Sequence, residues 1–343
     1  MKFSKPIIKL TSVTAMLTLL MLSQPLSADD TYRSRIQQWL SSQGYEMAFE
    51  AQQVNIFGDG DNSNGIEDNR IDMSSSQWNS VNRRPWNMGS GTIHCDGRNR
   101  GSAVIVDTSD MGELEKGAII ATSAHVLFDL EKMRLFSSCK FHYMALDHLP
   151  GYQTKIELSL SRMGRFDPSS PRNNKGFGKE DWAFLYIDDD MPGISLHGGL
   201  PLRAFEESPV QSPDADSYQF IAYSHSVDAI TISTVCQVTR SVAHDIGGGA
   251  WSGQLLDNCD SEGGASGGGL VASHLNKHYL VGIRSGSHWD GEMFPASEFP
   301  FGPPEGAQWD VMKNTNFGRA IDIELINELR AMVKELNLAI DSI

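Results

Sequence analysis

The feature that most constrains this chain is a succession of short runs rich in β-branched and aromatic residues. They read SAVIVD (102–107), AIIATS (118–123), WAFLYID (182–188), FIAYS (220–224), AITISTV (229–235) and YLVGIR (279–284). Runs of this length, bounded by Gly, Pro, Asn and Asp, predict an all-β sandwich or barrel. The last stretch departs from the pattern. In DIELINELRAMVKEL, Leu325, Ile326, Leu329, Met332, Val333 and Leu336 fall at helical spacing behind Asp322, which can cap the N-terminus. A second, short helix is expected at 32–43, ending at Gly44, followed by polar sequence to about residue 65. No internal repeat is visible. Two barrels related by structure rather than sequence would show none.

The N-terminal residues have a different origin. Lys2, Lys5 and Lys9 precede an apolar run ending near Leu22, then a small-residue stretch ending at Ala28. This is the layout of a secretory signal peptide over 1–28. The run is short for a membrane span, and no later segment is long and apolar enough for one. The whole chain carries 28 Lys and Arg against 43 Asp and Glu, a formal charge of −15. Such a balance disfavours nucleic acid and anionic lipid as partners. Four cysteines, Cys95, Cys139, Cys236 and Cys259, suggest two disulfides in an oxidising compartment. None has CxxC spacing, so a zinc site is not expected, and no cofactor is implied.

The chemistry centres on CDSEGGASGGGL (259–270), where Ser266 sits among glycines. A serine hydroxyl needs a base within reach, a group that orients the base, and donors for the oxyanion that forms. Gly264-Ala265-Ser266-Gly267-Gly268 matches G-x-S-x-G, which is weak alone. Chain order narrows it. An α/β-hydrolase runs Ser, then acid, then His. Between Ser266 and the last histidine, His288, there is no Asp or Glu. The order His, Asp, Ser is present instead. His125 follows an apolar run in ATSAHVLFD, and Asp181 heads another in KEDWAFLYID. Alone, His125 reads as readily as a core histidine, Asp181 as a strand cap and Ser266 as loop filler. The ordered set is far more specific than any member.

With these elements the chain resembles the trypsin/chymotrypsin-like serine peptidases. T-S-A-H, D-W-A-F-L and G-A-S-G-G stand where that family has T-A-A-H, D-hydrophobic-A-hydrophobic-hydrophobic and G-x-S-G-G. NGIEDNRIDM followed by RRPWNMGSGTIHC, and VGIRSGS near the end, resemble the bacterial glutamyl-endopeptidase-like branch. The likeness spans roughly residues 65–340, with firm motifs in a small part of it. It implies two packed six-stranded antiparallel β-barrels with a C-terminal α-helix. It implies His125 as general base, Asp181 as its orienting partner and Ser266 as nucleophile, with an oxyanion hole from the backbone N–H groups of Gly264 and Ser266. Protein or peptide substrates follow, and a monomer is expected. The organisation it suggests is a signal peptide (1–28), an N-terminal extension or propeptide (29–60) and the peptidase domain (61–343). The competing reading is a secreted, non-catalytic binding protein on the same scaffold.

The resemblance also places a substrate pocket at Asp260, Ser261, Arg284 and Ser285. Asp260, six residues before Ser266, stands where trypsin-like enzymes attract Lys or Arg. Arg284 stands where glutamate-specific members present a histidine. Three arrangements stay open for Arg284: meeting an acidic substrate, pairing with Asp260 to leave a neutral pocket, or pointing into solvent. The family's disulfide around the histidine implies Cys95–Cys139, which leaves Cys236–Cys259. Ala265 replaces the aspartate that receives a new N-terminus in digestive members, so that route of activation is closed. DGDNSNG (59–65) spaces Asp59, Asp61 and Ser63 two apart, but Asn64 and Arg70 stand where a calcium loop needs Gly and Glu. It reads as a solvated turn. His274 and His278 lie in a hairpin-like region and are not expected to bind metal.

Overall fold

In the computed structural model each of the six quoted runs lies in or overlaps a strand. The structure describes residues 56–58, 68–73, 89–112, 114, 116–129, 132–143, 152–166, 179–187, 199–205, 217–240, 253–274, 277–295, 297–299, 303–311 and 313–340. The expected signal peptide, the helix at 32–43 and the Asp59, Asp61, Ser63 turn lie outside the described residues.

Two curled sheets carry the chain. The first runs from Tyr152–Lys155 through Cys139–Tyr143, Ser90–Cys95, Arg98–Asp107, Ala118–Thr122 and Ala183–Ile187 to the short Arg162–Met163. Leu200–Pro201 adds alongside Arg98–Asp107 in parallel, while the other neighbours are antiparallel. The second sheet runs from Arg70–Asp72 through Ala229–Cys236, Ser217–Ser224, Gly269–His274, Lys277–Trp289, Asn314–Ala320 and Gln254–Asp257 to Val238–Arg240. Each therefore has six strands of four or more residues plus two shorter ones. Bulges at Ile93/His94, Tyr218/Phe220, Leu270/Val271 and Arg284/Gly286 interrupt the ladders. An extra residue on one strand bends it and adds twist, which helps a flat ladder curl.

Three apolar clusters explain why the runs are continuous rather than alternating. Side chains of a strand point to opposite faces in turn. In Ala183–Ile187, Ala183, Leu185 and Ile187 enter the interior of the first sheet, while Phe184 and Tyr186 enter a central core. In the second sheet, Phe220 and Ala222 turn inward while Ile221 and Tyr223 join that same central core. The central core thus lies between the sheets, and both faces of these strands are covered.

The predicted helix forms over Ile323–Ile340. Asp322 accepts the N–H of Leu325 (3.0 Å) and also meets Arg319 (2.8 Å). Leu325, Leu329, Met332, Val333 and Leu336 bury into the central core. Each such side chain contributes about 1.5–3 kcal/mol relative to exposure. Both disulfides form as paired by the resemblance, Cys95–Cys139 and Cys236–Cys259, with Cα separations of 4.2 and 4.7 Å. They suit an oxidising compartment. Among the described residues no helix is long and apolar enough to cross a membrane.

Candidate active site

His125 lies in a short 3-10 turn, Ala124–Leu127, directly after the strand Ala118–Thr122. Ala124, Val126 and Leu127 are buried and anchor the turn, while the His125 side chain keeps 11% of its surface exposed. Asp181 stands two residues before Ala183–Ile187. That strand pairs with Ala118–Thr122, matching Ala183 to Thr122, so both residues project from the same end of the pair. Asp181 is 0% exposed. One carboxylate oxygen accepts the backbone N–H of His125 (2.9 Å) and the other meets Nδ1 of the ring (2.8 Å). An ionised carboxylate can only accept. It therefore holds the hydrogen of the neutral ring on Nδ1 and leaves the lone pair on Nε2. The Phe166 ring, 6.2 Å from the imidazole between centroids, packs beside it.

The loop bearing Ser266 is seated on the same strand end. Gly267 has φ +82°, and a Cβ there would lie 2.1 Å from the Thr122 hydroxyl and 2.3 Å from the Ser102 carbonyl. Only glycine allows both that backbone conformation and that approach. The N–H of Gly267 donates to the Arg284 carbonyl (2.8 Å), which also accepts the Ser123 hydroxyl (2.5 Å). Ser102 joins the two sheets. Its N–H donates to the Ser266 carbonyl (2.7 Å), its hydroxyl donates to the Gly264 carbonyl (2.7 Å), and it accepts the N–H of Tyr223 (2.8 Å). No motif marks Ser102 in the sequence; it is a small polar residue in a strand whose role depends on the partner sheet.

The turn before Ser266 is shaped by its own amides. Ala265 N–H donates to Glu262 (3.1 Å) and Gly268 N–H to Ala265 (2.9 Å), with Gly264 at φ +94°. Among the described residues, no group accepts the N–H of Gly264 or of Ser266. Both are thus available to a ligand oxygen.

Of the four residues expected to form a pocket, Asp260 and Arg284 have partners within the protein, while the buried Ser285 hydroxyl has none among the described residues. Asp260 is 1% exposed, and its carboxylate accepts the N–H groups of Phe57 (2.6 Å), Gly58 (3.0 Å) and Asn69 (2.8 Å). Burial pushes its pKa up to about 6 against the pull of those donors. Both carboxylate oxygens are thus engaged by backbone donors within the protein. Of the open arrangements for Arg284, neither pairing with Asp260 nor pointing into solvent is seen. Arg284 is buried, pairs with Asp257 (2.8 Å) and lies 4.2 Å over the Phe220 ring. Burial lowers its pKa and raises that of Asp257, with the mutual attraction opposing both shifts. Ser261 and Ser285 are 6% and 3% exposed, Ser285 at the bulge between Arg284 and Gly286.

A second group escaped the sequence reading. Glu262 receives Arg70 (3.3 Å), the N–H of Ser226 (2.6 Å) and the Ser224 hydroxyl. Burial alone would raise its pKa, but these partners outweigh it and hold the carboxyl below the usual range. The available signal was a second acid, two residues after Asp260, within a stretch otherwise of small residues.

Two curled, mainly antiparallel sheets, each with six strands of four or more residues and two shorter ones, a shared core and a closing helix are consistent with a chymotrypsin-like two-barrel fold. No family model matches the chain, and no curated protein matches it. Among solved structures it is similar to the protease Anisep from Arthrobacter nicotinovorans, at 13% identity and a TM-score of 0.45, over 71% of this chain and 95% of that one.

Proposed function

We propose that the chain is an exported serine endopeptidase acting through His125, Asp181 and Ser266. The observation that carries this reading is the two-oxygen hold of Asp181 on His125, at the strand end where the Ser266 loop is seated. In the proposed reaction, His125 Nε2 takes the hydroxyl proton as Ser266 Oγ bonds to the scissile carbonyl carbon. The carbonyl electron pair moves onto oxygen, which the N–H groups of Gly264 and Ser266 receive. Each such donor is worth about 10²–10³ in rate. Asp181 stabilises the imidazolium. Collapse breaks the C–N bond, and His125 returns the proton to the departing amine. Water then repeats the sequence on the acyl-enzyme and releases the acid.

Since Asp260 and Arg284 are both engaged within the protein, the S1 pocket is read as uncharged at its base. A P1 peptide library should show no strong Lys/Arg or Glu preference. Export is supported by the basic, then apolar N-terminal layout and by the two disulfides.

The test of the activity is labelling by a fluorophosphonate probe. The folded protein should label, and Ser266→Ala should not. Absence of labelling, or labelling that persists in Ser266→Ala, would favour a non-catalytic scaffold.

A further inference from the structure

We propose that residues 56–58 and 68–72 form a built-in brace that holds the loop ahead of Ser266 in its working shape, gripping it at Asp260 and Glu262. The inference rests on the peptidase reading for its effect on rate, but the brace itself is a separate physical statement.

The grip has two points. At the first, three backbone N–H groups from Phe57, Gly58 and Asn69 converge on Asp260. Asn69 is fixed in turn. Its amide donates to the Gly58 carbonyl (3.1 Å), and its oxygen accepts the Ser233 hydroxyl (2.7 Å), while the Ser233 oxygen accepts the Asp260 N–H (2.9 Å). At the second, the Arg70 guanidinium reaches Glu262 (3.3 Å) and Ser224 Oγ (3.3 Å) while Asp68 holds its other edge (2.7 Å). Burial disfavours the charge on Arg70, yet Asp68 and Glu262 together raise its pKa.

The brace is anchored in the body. Arg70–Asp72 adds as an edge strand to Ala229–Cys236, and Met73 N–H donates to the Ile230 carbonyl (3.0 Å). Ile56, Phe57 and Met73 are 2%, 5% and 4% exposed, and the Ile56 carbonyl accepts the N–H of Gly306 (2.8 Å).

The gripped stretch leads straight into the turn that presents the two unpartnered N–H groups. The Glu262 carbonyl accepts Ala265 N–H, and the Gly263 carbonyl accepts His225 N–H (3.2 Å). A turn through Gly263 and Gly264 has many accessible backbone states, so aiming its amides at one point needs support from outside the turn. Ala265 is apolar and supplies none. The acids on either side of Ser261 do. It follows that residues 56–58 and 68–72 belong to the working protein, and that any maturing cut falls ahead of Ile56.

The test compares the full chain with Arg70→Met and Asp260→Asn, and with Arg162→Met as a control that removes ion pairs to Glu328 and Glu335 on the helix. Two readouts are taken: the second-order rate of fluorophosphonate labelling, and amide hydrogen exchange over 259–268. Arg70→Met should slow labelling about tenfold, less than the full loss of an oxyanion donor. It should also speed exchange in 259–268, and Arg70→Lys should recover part of both. The control should change neither. Asp260→Asn should act in the same direction and more strongly. Should it not fold, Arg70→Met decides alone. Wild-type exchange over 259–268 in Arg70→Met overturns the brace. Faster exchange with wild-type labelling overturns its role in the reaction. Faster exchange in a protein whose wild type never labels leaves the brace standing and overturns the peptidase reading instead.

Discussion

Replacing Arg284 with methionine tests the buried electrostatics beneath the site. The Arg284 and Asp257 side chains are 2% and 4% exposed and meet at 2.8 Å. Methionine fills much of the same volume and can lie on the Phe220 ring, so the main loss is charge. Among the described residues, Asp257 then keeps the Cys259 N–H (3.0 Å) and the Asn316 side chain as donors. A buried carboxylate stripped of its cation costs about 3–5 kcal/mol. Urea unfolding at pH 7, followed by tryptophan fluorescence, should show that loss with an unchanged slope. The double variant Arg284→Met, Asp257→Asn should recover most of it, because no uncompensated charge remains. The sign with pH is also set. Burial already raises the folded pKa of Asp257 above its unfolded value, and loss of Arg284 raises it further. Ionised Asp257 therefore destabilises the single variant, and its deficit should shrink as pH falls through that raised value. A single variant within about 1 kcal/mol of wild type, or a double variant no more stable than the single, would refute this account. The Arg284 carbonyl, which holds Gly267 and Ser123, is untouched, so labelling of the remaining folded protein should persist.

Three further outcomes are expected. Asp181→Asn should lower kcat by about 10⁴-fold, since an amide can donate toward Nδ1 and favour the wrong tautomer, while the rate in Ser266→Ala should fall to a residual level; steady-state peptide hydrolysis checks both. Gly267→Ala should abolish labelling, because its Cβ would meet the Ser102 carbonyl at 2.3 Å in a backbone conformation disfavoured for alanine. His142 stacks on His94 at 3.6 Å, and burial, His94 and Lys140 push its pKa from 6.5 to about 4. Its folded pKa lies below the unfolded one, so stability is full above pH 6.5 and is lost as pH falls toward 4. Allowing for solvent screening, His142→Gln should reduce that acid loss by about 1 kcal/mol, or about 2–4 °C in a pH series of thermal melts.

Much of the architecture could be read without coordinates because it rests on local rules. The apolar runs predicted strands, and they form strands since both faces are covered. The spacing behind Asp322 predicted the closing helix, and the same residues reach the core. Asn314–Ala320 escaped this reading. Its sequence, NTNFGRA, is largely polar, yet all seven residues are buried. Its partners lie far along the chain: Asn316 donates to the Cys259 carbonyl (2.7 Å), and Arg319 to the Gly253 carbonyl (3.2 Å). Buried polar groups are tolerated where such partners exist, and hydropathy alone cannot identify them.

The candidate site divides in the same way. Residue types and chain order determined which histidine, aspartate and serine to consider, because the chemistry restricts what a base, its partner and a nucleophile can be. Only the tertiary structure decided what Asp260 and Arg284 do. Each is a charge whose meaning depends on the nearest opposite charge or donor. Those are Phe57, Gly58 and Asn69 for Asp260, 203, 202 and 191 residues away, and Asp257 for Arg284 on the far side of the strand Asn314–Ala320. A carboxylate six residues before a serine reads as a pocket floor in one dimension. In three, its oxygens accept the N–H groups of Phe57, Gly58 and Asn69.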